Sequence, residues 1–265
     1  MKFALVNGLK TEPQPKLHGI CSHCQSVTIS KCGERKVWHW AHKSKISCDP
    51  WWENETEWHR EWKNKFPSEW QEISHVDPFT GERHIADIKT ANGYIVEFQH
   101  SAIHPAEMRS REAFYKNMVW VVDGTRLKRD YPRFLKGMKD FKPAIISGFF
   151  LSYFPEEFLP TAWLNASAPI LFDFRGLEAD SSDVIANPLW CLFPNRIEGY
   201  TVLAGVSRQQ FVELSSNNSE LLLAKEFLEL IQLHIQQQRA NTAAKTRSDN
   251  FRTNYGRSQW KRRRF

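Results

Sequence analysis

Two acids ten positions apart, Asp87 and Glu97, lie in the stretch that most limits how this chain can fold. One arm reads Arg83-His84-Ile85-Ala86-Asp87-Ile88-Lys89, the connection Thr90-Ala91-Asn92-Gly93, and the other arm Tyr94-Ile95-Val96-Glu97-Phe98-Gln99. Each arm sets an acid among apolar residues, which predicts a β-hairpin. In the second arm Tyr94, Val96 and Phe98 share one face, and Ile95, Glu97 and Gln99 the other. A two-residue loop at Asn92-Gly93 would pair Ile88 with Glu97 and leave the acids on opposite faces. A three-residue loop, Ala91-Asn92-Gly93, with Gly93 left-handed in a G1 bulge, pairs Asp87 with Glu97, and this is the loop we expect. The two Cβ atoms then lie about 5 Å apart, where carboxylates repel unless a cation sits between them.

A chain of 265 residues can bury one good core and carry additions to it. It has no apolar run near the length of a membrane span, and its opening residues are too short for a signal peptide, so no membrane partner is expected. Five cysteines without a secretory signal point to a reducing cytoplasm rather than a disulfide framework. The formal charge of +6 is unevenly placed. Residues 241–265 hold eight Lys or Arg against the single acid Asp249, so the rest of the chain is close to neutral. That segment, with Arg262, Arg263 and Arg264 near its end, reads as a flexible basic arm suited to phosphates, with Phe251, Tyr255 and Trp260 suited to stacking on bases. A solubilising terminus is an equal reading of it.

Residues 1–50 contain Cys21-Ser22-His23-Cys24 and, after fourteen residues, His39-Trp40-Ala41-His42. Cys21, Cys24, His39 and His42 resemble the four ligands of a structural zinc site, with Cys32, Cys48 and His23 as substitutes. If one ligand were missing, the open position would suit a zinc hydrolase instead.

Residues 51–139 read as the core. Trp58, Trp62 and Phe66 make an apolar helical stripe ended by Pro67, and Glu55, His59 and Lys63 repeat at the same spacing beside it. A strand near 69–75, the acidic hairpin, a helix from Pro105 to about Asn117 and a buried strand Met118–Val122 follow. The order helix, strand, strand, strand, helix, strand is typical of restriction-endonuclease-like nucleases.

The motifs taken together (Cys21…Cys24, His39…His42, Glu55-Thr56…His59…Lys63, His84-Ile85-Ala86-Asp87-Ile88, Glu97-Phe98-Gln99-His100-Ser101 and Arg109…Arg111…Tyr115…Trp120) resemble the competence protein CoiA nuclease-like family across roughly residues 15–135. That family is a branch of the PD-(D/E)XK nucleases with a zinc-ribbon-like segment in front. The resemblance implies an α/β, restriction-endonuclease-like core with Asp87 and Glu97 as metal-binding acids, Glu55 and His59 as the helix-borne pair, and Gln99 where most relatives have lysine.

The residue chemistry agrees with that. Two hard carboxylates suit Mg²⁺ or Mn²⁺ in phosphodiester hydrolysis, and Glu55 can add a third oxygen. Gln99 can hydrogen-bond water or phosphate but supplies no charge, so Lys89 or Lys63 would stand in for the missing lysine. His59 is a candidate proton shuttle. Arg109 and Arg111 are candidates for the phosphate backbone, with an Arg111–Tyr115 helix pair as the plainer alternative. The expected partner is nucleic acid, DNA first, and cutting both strands would favour a homodimer. The competing expectation is a protein that binds nucleic acid on the same fold and has lost catalysis at Gln99.

Residues 140–240 read as an accessory α+β region binding nucleic acid or a protein. It has strands at Ile170–Phe174, Pro188–Phe193 and Tyr200–Ala204 and an amphipathic helix over 220–238, with Asn217-Asn218-Ser219 as its cap.

Overall fold

The computed structural model describes residues 1–44, 48–174, 189–217 and 222–262, with backbone alone at 222–224 and 248–262. Its first part is an antiparallel sheet of β1 (Ala4–Val6), β2 (Leu9–Thr11), β3 (His18–Ile20), β4 (Val27–Lys31) and β5 (His39–His42), in the order β2-β1-β3-β4-β5. These strands are three to five residues long and close on a small core of Met1, Ala4, Cys21 and Trp40.

The rest is a nine-stranded mixed sheet with helices on both faces. Its elements are α1 (Glu57–Asn64), β6 (Gln71–Val76), β7 (Arg83–Lys89), β8 (Ile95–Gln99), α2 (Pro105–Tyr115), β9 (Met118–Asp123), α3 (Asp130–Met138), β10 (Lys142–Pro143), β11 (Phe149–Ser152), β12 (Ile170–Asp173), β13 (Leu189–Leu192), β14 (Thr201–Val206), α4 (Arg208–Asn217) and α5 (Leu222–Arg262). The strand order is β10-β11-β14-β13-β12-β9-β8-β7-β6, with β8–β9 and β9–β12 parallel and the other pairs antiparallel. The central strands β8, β9, β12 and β13 are buried along their whole length, both faces being covered; their residues are mainly apolar, with Glu97 and Gln99 the buried polar exceptions within β8. Trp58, Trp62 and Phe66 pack with Phe98, Val121, Phe211 and Ile231 on one face. Met108, Phe114, Trp120, Phe134 and Phe172 fill the other.

The order α1, β6, β7, β8, α2, β9 agrees with the sequence. Thr56 caps α1 through a reciprocal box: its hydroxyl accepts from the His59 backbone N–H, and its own N–H donates to His59 Nδ1. The helix therefore starts at Glu57, and Glu55 lies just ahead of it rather than on it. It also stops at Asn64, short of Pro67, which excludes helical geometry from the residue before it.

Two boundaries differ from expectation. Residues 140–240 do not form a separate region around their own sheet, because β12 adds alongside β9 and brings β13, β14, β11 and β10 into one sheet with the core. The basic segment from 241 is helical as far as Arg262, a continuation of α5. Gln236 through Lys245 has no Gly or Pro and is rich in Gln and Ala, so the helix propagates past the tether where Arg239 and Gln236 both bond Glu198. Arg263 and Arg264, Pro188 and most of the expected cap at 217–219 lie outside the described residues.

Asp173, at the end of β12, ties three elements together. Its Oδ2 accepts from the indoles of Trp58 and Trp62, each at 3.0 Å, and its Oδ1 pairs with Arg208. Asp173→Ala leaves a largely covered guanidinium and two buried indoles without this partner, and is expected to cost about 3–5 kcal/mol in urea unfolding. A loss below 1 kcal/mol would mean the network is incidental.

Candidate functional site

The β7–β8 turn has the three-residue form. The Thr90 N–H donates to Tyr94 O at 2.9 Å, Gly93 N–H to Thr90 O at 2.9 Å, and Gly93 has φ +77°. Left-handed geometry at that position is why glycine is needed there. The register is Lys89↔Ile95 and Ile88↔Val96, which sets Asp87 opposite Glu97. There the ladder gives way to the acids themselves. The Asp87 N–H donates to Glu97 Oε1 (3.1 Å), and the Phe98 N–H donates to Asp87 Oδ2 (3.0 Å).

Lys63 on α1 supplies the cation. Its ammonium is 2.9 Å from Asp87 Oδ1, 3.1 Å from Glu72 Oε1 and 3.7 Å from Glu55 Oε1. Burial works against its charge, but Asp87, Glu72 and Glu55 together raise its pKa well above the usual lysine range. Lys89, half-buried two residues from Asp87, does not line the small cavity that Asp87, Glu97, Glu55, Glu72 and Lys63 enclose. Gln99 is also absent from the lining: it is buried, with its amide donating to Ser101 O.

Arg111 and Arg109 part company, since two helical positions turn a side chain to the opposite side. Arg109 is exposed and outside the cavity. Arg111 is buried and donates to Glu97 Oε2 (3.1 Å), to Glu107 and to Trp51 O, so it steadies an acid of the site rather than a phosphate. Burial and the Asp87 carboxylate outweigh this guanidinium and push Glu97 up to about 8. His59 is likewise committed. Its Nδ1 accepts from the Thr56 N–H, its Nε2 lies 3.2 Å from Phe98 O, and Glu53 is 3.7 Å away. Both nitrogens have partners, so it braces the strand that carries Glu97 while lining the same cavity.

Three acids of the cavity, Asp49, Glu53 and Glu72, were missed in the sequence. Glu72 sits at φ +49°, a strained geometry for a non-glycine residue, and drops out of the β6–β7 ladder between Gln71↔Ile88 and Ile73↔Ala86, whose register is otherwise unbroken. Its carboxylate accepts the N–H groups of Lys2 (2.7 Å) and Phe3 (3.0 Å), docking the first sheet onto the site. Burial opposes its charge, but Lys63, the N-terminal amino group and these N–H donors hold it at about 2.

The cavity has a volume of only about 60 Å³, room for a cation and a few waters. Among its lining, Glu53 Oε2 and Glu55 Oε1 are buried without a hydrogen-bond partner. Unsatisfied carboxylate oxygens beside Asp87 and Glu97 are a donor set fit for a hard divalent cation.

No family model, curated protein or solved structure matches this chain.

A second group lies in the first sheet. The ligand atoms of Cys21, Cys24, His42 and Cys48 all fall within 4.8 Å of one another, and this set can hold a zinc ion. The Cys21–Cys48 Sγ separation of 3.7 Å agrees with the roughly 3.8 Å edge of a tetrahedron with 2.3 Å Zn–S bonds. Cys24 Sγ lies 3.2 Å from His42 Nε2. Cys48 therefore replaces His39 in the expected set. His39 and His42 are three apart on β5, so alternation sends them to opposite faces, and His39 Nδ1 instead meets Val37 O. His23 bonds Ser74, and Cys32 is outside the cluster. We expect bound zinc, measured by elemental analysis of the purified protein, to drop from about one equivalent to near none in Cys48→Ala and to persist in His39→Ala. The reverse would restore the histidine pair.

Proposed function

We propose that this protein is a divalent-metal-dependent nuclease with a restriction-endonuclease-like core. The observation that carries the reading is the pairing of Asp87 opposite Glu97 with Lys63 held 2.9 Å from Asp87. When bound, Mg²⁺ or Mn²⁺ would neutralise charge on the phosphate and acidify a water. Asp87 and Glu97 would hold the ion, with Glu55 contributing a third oxygen or accepting the proton of the attacking water through its Oε1, which makes no hydrogen bond and lies 3.7 Å from Lys63. Lys63 pairs with Asp87 and faces the phosphate electrostatically; with its own pKa raised, it stays charged and takes up no proton. Arg111 fixes the Glu97 carboxylate, and His59 fixes the backbone beside it. The Cys/His cluster has four protein ligands and no open position, which favours a structural zinc over a hydrolytic one.

Lys63 also favours hydrolysis over the purely binding alternative. The cation that Gln99 lacks reaches the acids from another element, so glutamine at that position does not imply lost catalysis. The test is a cleavage assay on labelled linear, nicked and single-stranded DNA and on RNA. Activity should require Mg²⁺ or Mn²⁺, and one equivalent of Zn²⁺ should not replace them. No cutting of any substrate, with binding retained, would move the assignment to the binding protein.

A further inference from the structure

Beside the acid cavity lies a much larger cleft of about 750 Å³, which shares Met1, Trp52 and Glu55 with it. The acid cavity is too small for a nucleotide, so a substrate has to be held outside it, and the cleft is the adjoining space. Two indoles stand in its wall with large exposed faces: Trp38 is 46% exposed and Trp52 55%. Arg35 and Lys36 lie in the same loop as Trp38, and that loop is pinned to α1 by a 2.8 Å bond from Arg60 to Trp38 O. Arg60 also pairs with Glu55 at 2.9 Å, so the loop and the acid cavity share one anchor. At the far wall His100 is oriented by Asp123, Nδ1 to Oδ2 at 2.7 Å, and Asp123 is itself held by the Thr125 N–H and hydroxyl.

Resting on the hydrolytic reading above, we infer that this cleft is the substrate groove and that its ligand is an unpaired, single-stranded stretch of nucleic acid. Exposed indoles gain by stacking on base faces, and in a duplex those faces are covered by neighbouring pairs. The volume fits a few nucleotides of one strand. The charge pattern agrees: Glu34 and Glu57 also line the cleft, so Arg35 and Lys36 do not make a uniformly positive track of the kind a duplex backbone needs. Stacking on Trp38 and Trp52 supplies most of the affinity. Arg35 and Lys36 hold the phosphates, and His100 offers its second ring nitrogen to the strand.

The test measures fluorescence anisotropy of a labelled single-stranded 12-mer and of the same sequence as a blunt duplex, with the full chain and no added divalent cation. The groove predicts tighter binding of the single strand. Trp38→Ala and Trp52→Ala should each weaken it roughly 5- to 100-fold, the range for losing one base–aromatic stack. Trp38→Phe and Trp52→Phe, which keep a stacking face, should recover most of it, and this recovery separates lost stacking from a disturbed loop. Duplex binding equal to or tighter than single-strand binding, or alanine variants that bind like the parent, overturns the inference. Cleavage in Mn²⁺ separates the two proposals. Cutting that is indifferent to both tryptophans removes the groove and keeps the nuclease. Tryptophan-dependent single-strand binding without cutting keeps the groove and removes the nuclease.

Discussion

Asp87→Ala is expected to lower divalent-dependent cleavage by about three orders of magnitude or more and to leave the protein folded. A cation ligand supports several kcal/mol of transition-state charge stabilisation, and each 1.4 kcal/mol is about tenfold in rate. The fold should tolerate the change because Asp87 is partly solvated and Lys63 keeps Glu72 and Glu55 as partners. Lys63→Met should show the opposite balance. It strands three carboxylates around one buried position, so urea unfolding should report a loss of about 3–5 kcal/mol along with lost activity. Full activity in Asp87→Ala would take the active site off this hairpin.

The second large effect is on stability against pH. Glu97 lies at about 8 in the folded protein against a usual 4.5. Between those values the unfolded chain loses a proton that the folded one keeps, so the metal-free protein should lose stability as pH rises from about 4.5 to 8, by on the order of a few kcal/mol. Glu72, held at about 2, acts in the other window: its contribution is present above 4.5 and fades as pH falls toward 2. Melting temperature without divalent ions should therefore peak between the two limbs. Glu97→Gln removes the titration and keeps the shape, so it should flatten the alkaline limb and melt higher than the parent at pH 8, at the cost of cation binding. An unchanged alkaline slope in Glu97→Gln would assign that limb to another group.

The local parts of the site could be read from sequence because local rules govern them. Turn length and one left-handed glycine fix the hairpin register, and that register decides which faces the acids occupy. The zinc ligands were half legible. Cys21 and Cys24 belong to one tight turn, but the His39–His42 spacing changes meaning with secondary structure, sharing a face on a helix and splitting across a strand. Asp49, Glu53 and Glu72 gave no signal, since loops and a strand irregularity place them and neither has a period. Lys63 was visible as one cation among several, and only the packing of α1 on β8 selects it. The single sheet was invisible because pairing of β9 with β12 depends on contacts fifty residues apart.

That distant pairing has a consequence for how the chain is made. From the time β9 leaves the ribosome until β12 follows, Met118-Val119-Trp120-Val121-Val122 has an open edge with no partner, and it is among the most apolar strands in the protein. Such an edge invites pairing with a neighbouring chain. A fragment ended near residue 139, at the apparent close of the core, would keep that edge permanently and should collect in inclusion bodies, whereas chains carried through β12 seal it from within.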